Sequence, residues 1–358
     1  FVTSALNFES ASKVNESTFD LAYEKTLEDL GVVFGYYDSS FNGLTQDDPN
    51  RILVFSYSSM NELYECPFKY FVDHILHMGE FESFYGAKLG TLTHKAFEHI
   101  DKLDFESAWN IAVSETDMNE FTKKELIFLN ANKSRIKDAY ENIQNRIYKS
   151  GFAKTSKSEY RKTYTLKDNQ LKVNGSIDSF VINENDQIVI LDYKTGSFDK
   201  GNQEKYDAGL KLQLLMYSYM LSLDEKYKDK NVVGIYYCPI LPTTLNKDAT
   251  EYQKDMKFEG LTFEKVIPNA EEFIVSPNIN KKVKTLPENL LLVKEKLEQA
   301  EEMVRESKFT ISPAMKVDAC KYCSYKDLCF KTRAFKDRPK MKEEELEEAK
   351  KKEYEDEE

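Results

Sequence analysis

The chain has 358 residues, with 50 Lys+Arg against 62 Asp+Glu, a formal net charge of −12 and 41% hydrophobic residues. That length suits one large domain or two ordinary ones, and the acidity argues against a generic nucleic-acid coat, because neutralising phosphates normally leaves a basic footprint. No stretch approaches the roughly 20 apolar residues of a membrane span and no signal-like segment opens the chain, so we expect a cytoplasmic protein with no membrane partner.

The charge is unevenly placed. Residues 341–358 hold 4 Lys and 10 Asp+Glu, a net of −6, whereas residues 316–340 carry 8 Lys+Arg against 3 Asp, a local +5 available to DNA. The first residue is Phe1 rather than Met, as expected of a piece of something longer. Five cysteines are too few for a disulfide scaffold in a chain of this size, so their spacing is read as ligand or redox chemistry.

In chain order, residues 1–54 mix short apolar runs with breaks such as Asp47-Asp48-Pro49-Asn50 and read as an extension or the remnant of a preceding module. The serines at 56, 58 and 59 precede Met60, Leu63, Tyr64, Phe68, Phe71, Val72 and Ile75, one helical face with an N-cap, which Pro67 interrupts, so that one helix or two short ones are expected. After Gly86 and Gly90, Thr91 is expected to cap a helix carrying His94, Phe97 and Glu98. Ile136, Tyr140, Ile143 and Ile147 mark a helix over 121–148.

The period then changes. Tyr160, Tyr164 and Leu166 alternate with polar residues, Val173, Ile177, Phe180 and Ile182 follow, and Ile188 to Leu191 run continuously apolar, giving three strands, the last two joined by a turn at Asn183-Glu184-Asn185-Asp186. A helix from Tyr206 to Leu223 and a strand from Val232 to Ile240 complete an α/β arrangement whose last crossover can be parallel. Residues 242–284 read as an insertion, a helix near 286–306 leads to a cysteine cluster, and 336–358 form a charged tail.

Chemistry concentrates at Gly175-Ser176-Ile177-Asp178 and Asp192-Tyr193-Lys194. Carboxylates at the ends of adjacent strands suit one hard cation such as Mg²⁺, and Lys194, two residues beyond Asp192, shares its face of the strand. Alone, an Asp-x-Lys tripeptide is most simply a surface ion pair. Here it ends a buried strand, with His94 upstream and Gln213 and Tyr217 at i and i+4 of a later helix.

The ordered set His94, Gly175-Ser176-Ile177-Asp178, Asp192-Tyr193-Lys194-Thr195 and Gln213-Leu214-Leu215-Met216-Tyr217 resembles the RecB-type branch of the PD-(D/E)xK nucleases. The resemblance, over about 55–335, implies a restriction-endonuclease-like core in which a mixed central sheet is flanked by helices. It further implies that His94, Asp178, Asp192 and the Tyr193 carbonyl bind Mg²⁺ or Mn²⁺, that Lys194 is catalytic, and that Gln213 and Tyr217 line the DNA side.

Cys320-Lys321-Tyr322-Cys323 with Cys329 and the distant Cys66 offers four thiolates for zinc or an iron–sulfur cluster, and one knuckle with a remote cysteine matches structural zinc poorly. The spacing resembles the [4Fe-4S] staple of AddB-type helicase-nuclease subunits and of CRISPR-adaptation exonucleases. The former similarity, carried by Tyr57-Ser58-Ser59-Met60 leading into Cys66-Pro67-Phe68, implies a metal-dependent exonuclease that processes DNA ends alongside a helicase-nuclease partner subunit. A stand-alone CRISPR-adaptation nuclease and a non-catalytic DNA-end scaffold are the alternatives. No phosphate-binding loop G-x4-G-K-[ST] occurs, so any ATP dependence must come from elsewhere.

Overall fold

A computed structural model of the chain describes residues 52–79, 84–166, 170–241, 256–309, 311–314, 317–321 and 323–325. Residues 1–51 of the expected N-terminal extension, the acidic tail, Cys329 and residues 242–255 of the expected insertion lie outside the described residues.

A short strand β1 (Leu53–Phe55) runs into helix α1 (Tyr57–Glu65), whose capping box is built by Ser56 and Ser59. Cys66 leaves α1 in extended conformation and Pro67, with no N–H to donate, starts α2 (Pro67–Tyr70). Helix α3 (Tyr85–Phe97), α4 (Phe105–Ser114) and α5 (Lys123–Ile143) follow. Thr91 lies inside α3 instead of capping it, its hydroxyl donating to the Ala87 carbonyl at 3.1 Å. Gly86 and Gly90 are tolerated there because packing outweighs their poor propensity. A Cβ on Gly90 would sit 3.5 Å from Thr195 Oγ1, just past the strand that carries Asp192.

Strands β2 (Thr155–Leu166), β3 (Leu171–Ile182) and β4 (Gln187–Lys194) form the meander expected from the alternating runs. The single helix expected over Tyr206–Leu223 is instead α6 (Gln203–Asp207) and α7 (Gln213–Leu223). Gly209, at φ +80°, breaks them, and a Cβ there would meet the Tyr64 ring at 2.5 Å, so the chain reverses where only glycine fits. β5 (Asn231–Pro239), β6 (Glu259–Thr262), the turn α8 (Ala270–Phe273) and α9 (Leu286–Arg305) complete the described chain.

The sheet runs β1-β3-β4-β5-β6, with β2 also on β3. β2 pairs antiparallel along all of β3, so β1 and β4 share the other edge of β3: β1 parallel at 171–173, β4 antiparallel at 179–182. Between them, residues 174–178 have no strand partner on that edge among the described residues, and this gap holds Gly175 to Asp178. β4 and β5 are parallel and β5 and β6 antiparallel, a mixed sheet.

Both faces are covered. Ile188 and Ile190 of β4 pack with α1, α7 and α9 on one face, and Val189 and Leu191 with α3, α4 and α5 on the other. This mixed sheet between helical layers fits the restriction-endonuclease-like class. Among the described residues, no helix is long and apolar enough to cross a membrane.

Candidate metal centre

Strand alternation fixes the first half of the site. Following Ile188 and Ile190, Asp192 and Lys194 point to the α7 face. Asp192 is 1% exposed, and its Oδ2 lies 2.5 Å from the Lys194 ammonium, which also sits 5.2 Å over the ring of Tyr237, the β5 neighbour of Asp192. Among the described residues, no well-directed hydrogen bond reaches that Oδ2.

Gln213, the first residue of α7, closes the arrangement. Its Nε2 donates to Asp192 Oδ1 and to Tyr217 Oη, each at 3.0 Å, while its Oε1 accepts from Lys194 Nζ at 3.1 Å. α7 comes this close because Gly175 lies beneath it: a Cβ there would stand 3.0 Å from Met220 Sδ and 3.7 Å from Tyr217 Cε1.

Asp178 arrives from the gap in the β3 edge. Its Oδ2 accepts the Tyr193 amide at 2.8 Å, and its Oδ1 lies 3.3 Å from Nδ1 of His94 on α3. The Tyr193 side chain turns to the opposite face, where its hydroxyl bonds Tyr148 at 3.0 Å and Tyr148 bonds Ser179 at 2.6 Å, so this peptide is held from both sides. The structure therefore brings together His94, Asp178, Asp192, Tyr193, Lys194, Gln213 and Tyr217.

Burial, reinforced by the Asp178 carboxylate, pushes the Asp192 carboxyl up to about 7 against the pull of Lys194 and His94. His94 is raised as well: burial opposes its charge, but Asp178 and then Asp192 outweigh that cost. Two carboxylates are thus crowded into a largely buried pocket, one of them paired with the Lys194 ammonium. The carboxylate and imidazole groups gathered here are the donor types that a hard divalent cation takes.

Sequence reasoning missed Glu159. It lies on β2 between the pairs that place Ser158 opposite Ser179 and Tyr160 opposite Ile177, and ligand atoms of His94, Glu159 and Asp178 all fall within 4.8 Å of one another. Its only sequence signal was a charge within an alternating strand, which is usually a solvated face.

The cysteines form a second cluster. Burial raises the Cys66 thiol, the Lys69 and Phe68 amides at the start of α2 draw it down, and the neighbouring Cys323 and Cys320 raise it further. Cys320 and Cys323 thus lie near enough to Cys66 to act on its thiol, which brings together three cysteines from the two ends of the described chain. Beside them a cavity of about 530 Å³ is lined by Glu65, Lys69, Lys205, Lys211 and Cys323, next to the loop that leaves β4. Cys238 is fully buried in β5, a small apolar residue of the core. His74 bonds Glu62 at 2.8 Å near the surface.

A family model described as the PD-(D/E)XK nuclease superfamily matches residues 54–330. Among curated proteins, a subunit of the ATP-dependent helicase/deoxyribonuclease of Lactococcus lactis subsp. cremoris is 25% identical over 86% of this chain and 31% of its own length. The subunit of the same name from Streptococcus agalactiae is 25% identical over 75% of this chain and 26% of its own. The chain spans about a third or less of these relatives. Among solved structures, protein VC1899 from Vibrio cholerae aligns at 11% identity over 70% of this chain and 58% of that one, with a TM-score of 0.21, too low to bear on the fold.

Proposed function

Because the chain belongs to the PD-(D/E)XK nuclease superfamily, in its RecB-type branch, we propose that it is a Mg²⁺- or Mn²⁺-dependent DNA exonuclease acting in DNA end processing and double-strand break repair. We take 55–335 as its nuclease module, working beside a helicase-nuclease partner subunit. The observation that carries this is the convergence of Asp178, Asp192, Lys194 and Gln213 from two strands and a helix onto one buried carboxylate pair.

In this reading His94, Asp178, Asp192 and the Tyr193 carbonyl hold the cation. When bound, it supplies positive charge against the scissile phosphate and lowers the pKa of a coordinated water. The protein's own groups then do three things. Asp178 and Asp192 fix the donor geometry, Asp178 through the Tyr193 amide and Asp192 through Gln213. Lys194, steered by Asp192, Gln213 and the Tyr237 ring, presents its N–H groups to the attacking water and a non-bridging phosphate oxygen, where charge develops as the water oxygen bonds to phosphorus and the ester bond breaks. Tyr217, its hydroxyl held by Gln213, borders the side from which DNA approaches.

We further propose that Cys66, Cys320 and Cys323 with Cys329 hold a [4Fe-4S] cluster beside this core. End-labelled linear DNA with Mg²⁺ tests the enzyme reading: wild type should degrade it, and Asp192→Ala and Lys194→Ala should each lose at least roughly 100-fold in rate with DNA binding retained. Wild-type cutting by both variants would remove the site assignment. Tight end binding without any metal-dependent cleavage would favour a DNA-end scaffold.

A further inference from the structure

The geometry points to Glu159 as a further ligand residue of the metal centre, bound on the His94 side of Asp178. This rests on the nuclease reading above and extends its ligand set beyond the motif residues.

Three observations from different parts of the structure converge on this glutamate. Ligand atoms of His94, Glu159 and Asp178 lie within 4.8 Å of one another, although they come from α3, β2 and β3. One carboxylate oxygen of Glu159 accepts the Ser176 hydroxyl at 2.8 Å, which aims the side chain across to β3.

The third is a disruption of strand alternation centred on this pair. Tyr160 stands opposite Ile177, and both face the α7 side; Ser158 stands opposite Ser179, whose hydroxyl bonds Tyr148 on the α5 side. Regular pleating would put residues two apart on the same face. Both strands therefore reverse their facing between these pairs, at Glu159 and Asp178. Glu159 absorbs the reversal with φ +47°, a left-handed conformation that a non-glycine residue adopts only where its surroundings impose it. In register Glu159 faces Asp178, and the reversal reorients both while their ligand atoms still meet within 4.8 Å of each other and of His94. Ser176 stands opposite Arg161, so its bond to Glu159 is a diagonal contact across the ladder, within reach of a long side chain without any reversal.

Mn²⁺ binding to the full 358-residue chain, followed by titration calorimetry and by the loss of the free-ion paramagnetic resonance signal, provides the test. Glu159→Gln keeps size and hydrogen-bonding capacity but removes the charge. It should weaken Mn²⁺ affinity by roughly 10-fold or more and raise the Mg²⁺ concentration needed for half-maximal cleavage in proportion. Ser176→Ala, which removes the hydroxyl that aims Glu159 but keeps its charge, should weaken Mn²⁺ binding by less than Glu159→Gln does, with an unchanged melting curve in EDTA. Wild-type Mn²⁺ affinity in Glu159→Gln overturns the inference, as does a loss of affinity in Glu159→Gln accompanied by a lowered melting curve in EDTA, which would assign Glu159 to the fold. Asp192→Ala, measured alongside, separates the two levels: if it cuts DNA normally the nuclease site itself is wrong, whereas an inactive Asp192→Ala beside an unaffected Glu159→Gln sinks only the role of Glu159.

Discussion

At 1% exposure Asp192 has given up nearly all its hydration, and Asp178 follows on the neighbouring strand just beyond the Ser179–Leu191 pair. A folded-state pKa near 7 against an ordinary 3.8 means that the native state binds more protons than the unfolded chain between those values. Stability contributed by this group is therefore present at low pH and lost as pH rises toward 7. Without divalent metal, Asp192→Asn should make the protein more stable at pH 8, by about 1–3 kcal/mol, with the advantage shrinking toward pH 5. Mg²⁺ should reverse the order by stabilising wild type alone. Urea unfolding in EDTA and in Mg²⁺ at both pH values measures this; a less stable Asp192→Asn in EDTA would contradict it. The same burial that makes Asp192 costly explains why an Asp-x-Lys at the end of an apolar run was legible as a site, while Glu159, half-buried on a strand of mostly polar residues, was not.

Among elements, α7 matters most, because it carries Gln213 at one end and is anchored at the other. Its C-cap, Asp224, accepts the hydroxyls of Tyr160 and Tyr164 from β2 at 2.6 and 2.5 Å. Burial pushes the Asp224 carboxyl up, but these two donors and the Lys226 amide outweigh it, leaving it below the usual carboxylate range. That stability is present above the unfolded pKa and is lost as pH falls through the lower folded value. Tyr160→Phe and Tyr164→Phe should each cost about 1 kcal/mol at pH 7, and the difference from wild type should fade in acid. Chemical denaturation from neutral pH down to about pH 3 tests this, and a penalty independent of pH would mean packing, not the charged acceptor, sets the cost. Periodicity put both tyrosines on one face of β2. Their common partner lies 60 residues downstream of Tyr164 and emerges only when α7 crosses the sheet.

Over the whole molecule, the ends of the described chain meet at the cysteines. The Ala314 amide donates to the Glu65 carbonyl at 2.8 Å, and the Tyr325 hydroxyl reaches Asp73, 252 residues away in sequence. Holding this closure by ordinary contacts alone is expensive in chain entropy, whereas a bound cluster fixes it covalently. Purified protein should be brown and contain iron, and Cys66→Ser or Cys329→Ala should lose both together with on the order of 3–5 kcal/mol of stability. A colourless, zinc-loaded wild type, or a variant with normal melting and iron content, would remove the cluster from the account.

The amino-acid sequence by itself determined the order of the chemistry: Asp178, Asp192 and Lys194 on strands, His94 before them, Gln213 and Tyr217 after them. Local periodicity and short spacing carry that information, because neighbours along a strand or helix are neighbours in space. The break at Gly209, the start of α3 at Tyr85 instead of Thr91, α4, the division of the β3 edge between β1 and β4, and the turning of Glu159 toward Asp178 were decided only by the tertiary structure. Each depends on an approach between segments distant in sequence, where packing overrides what any one segment prefers.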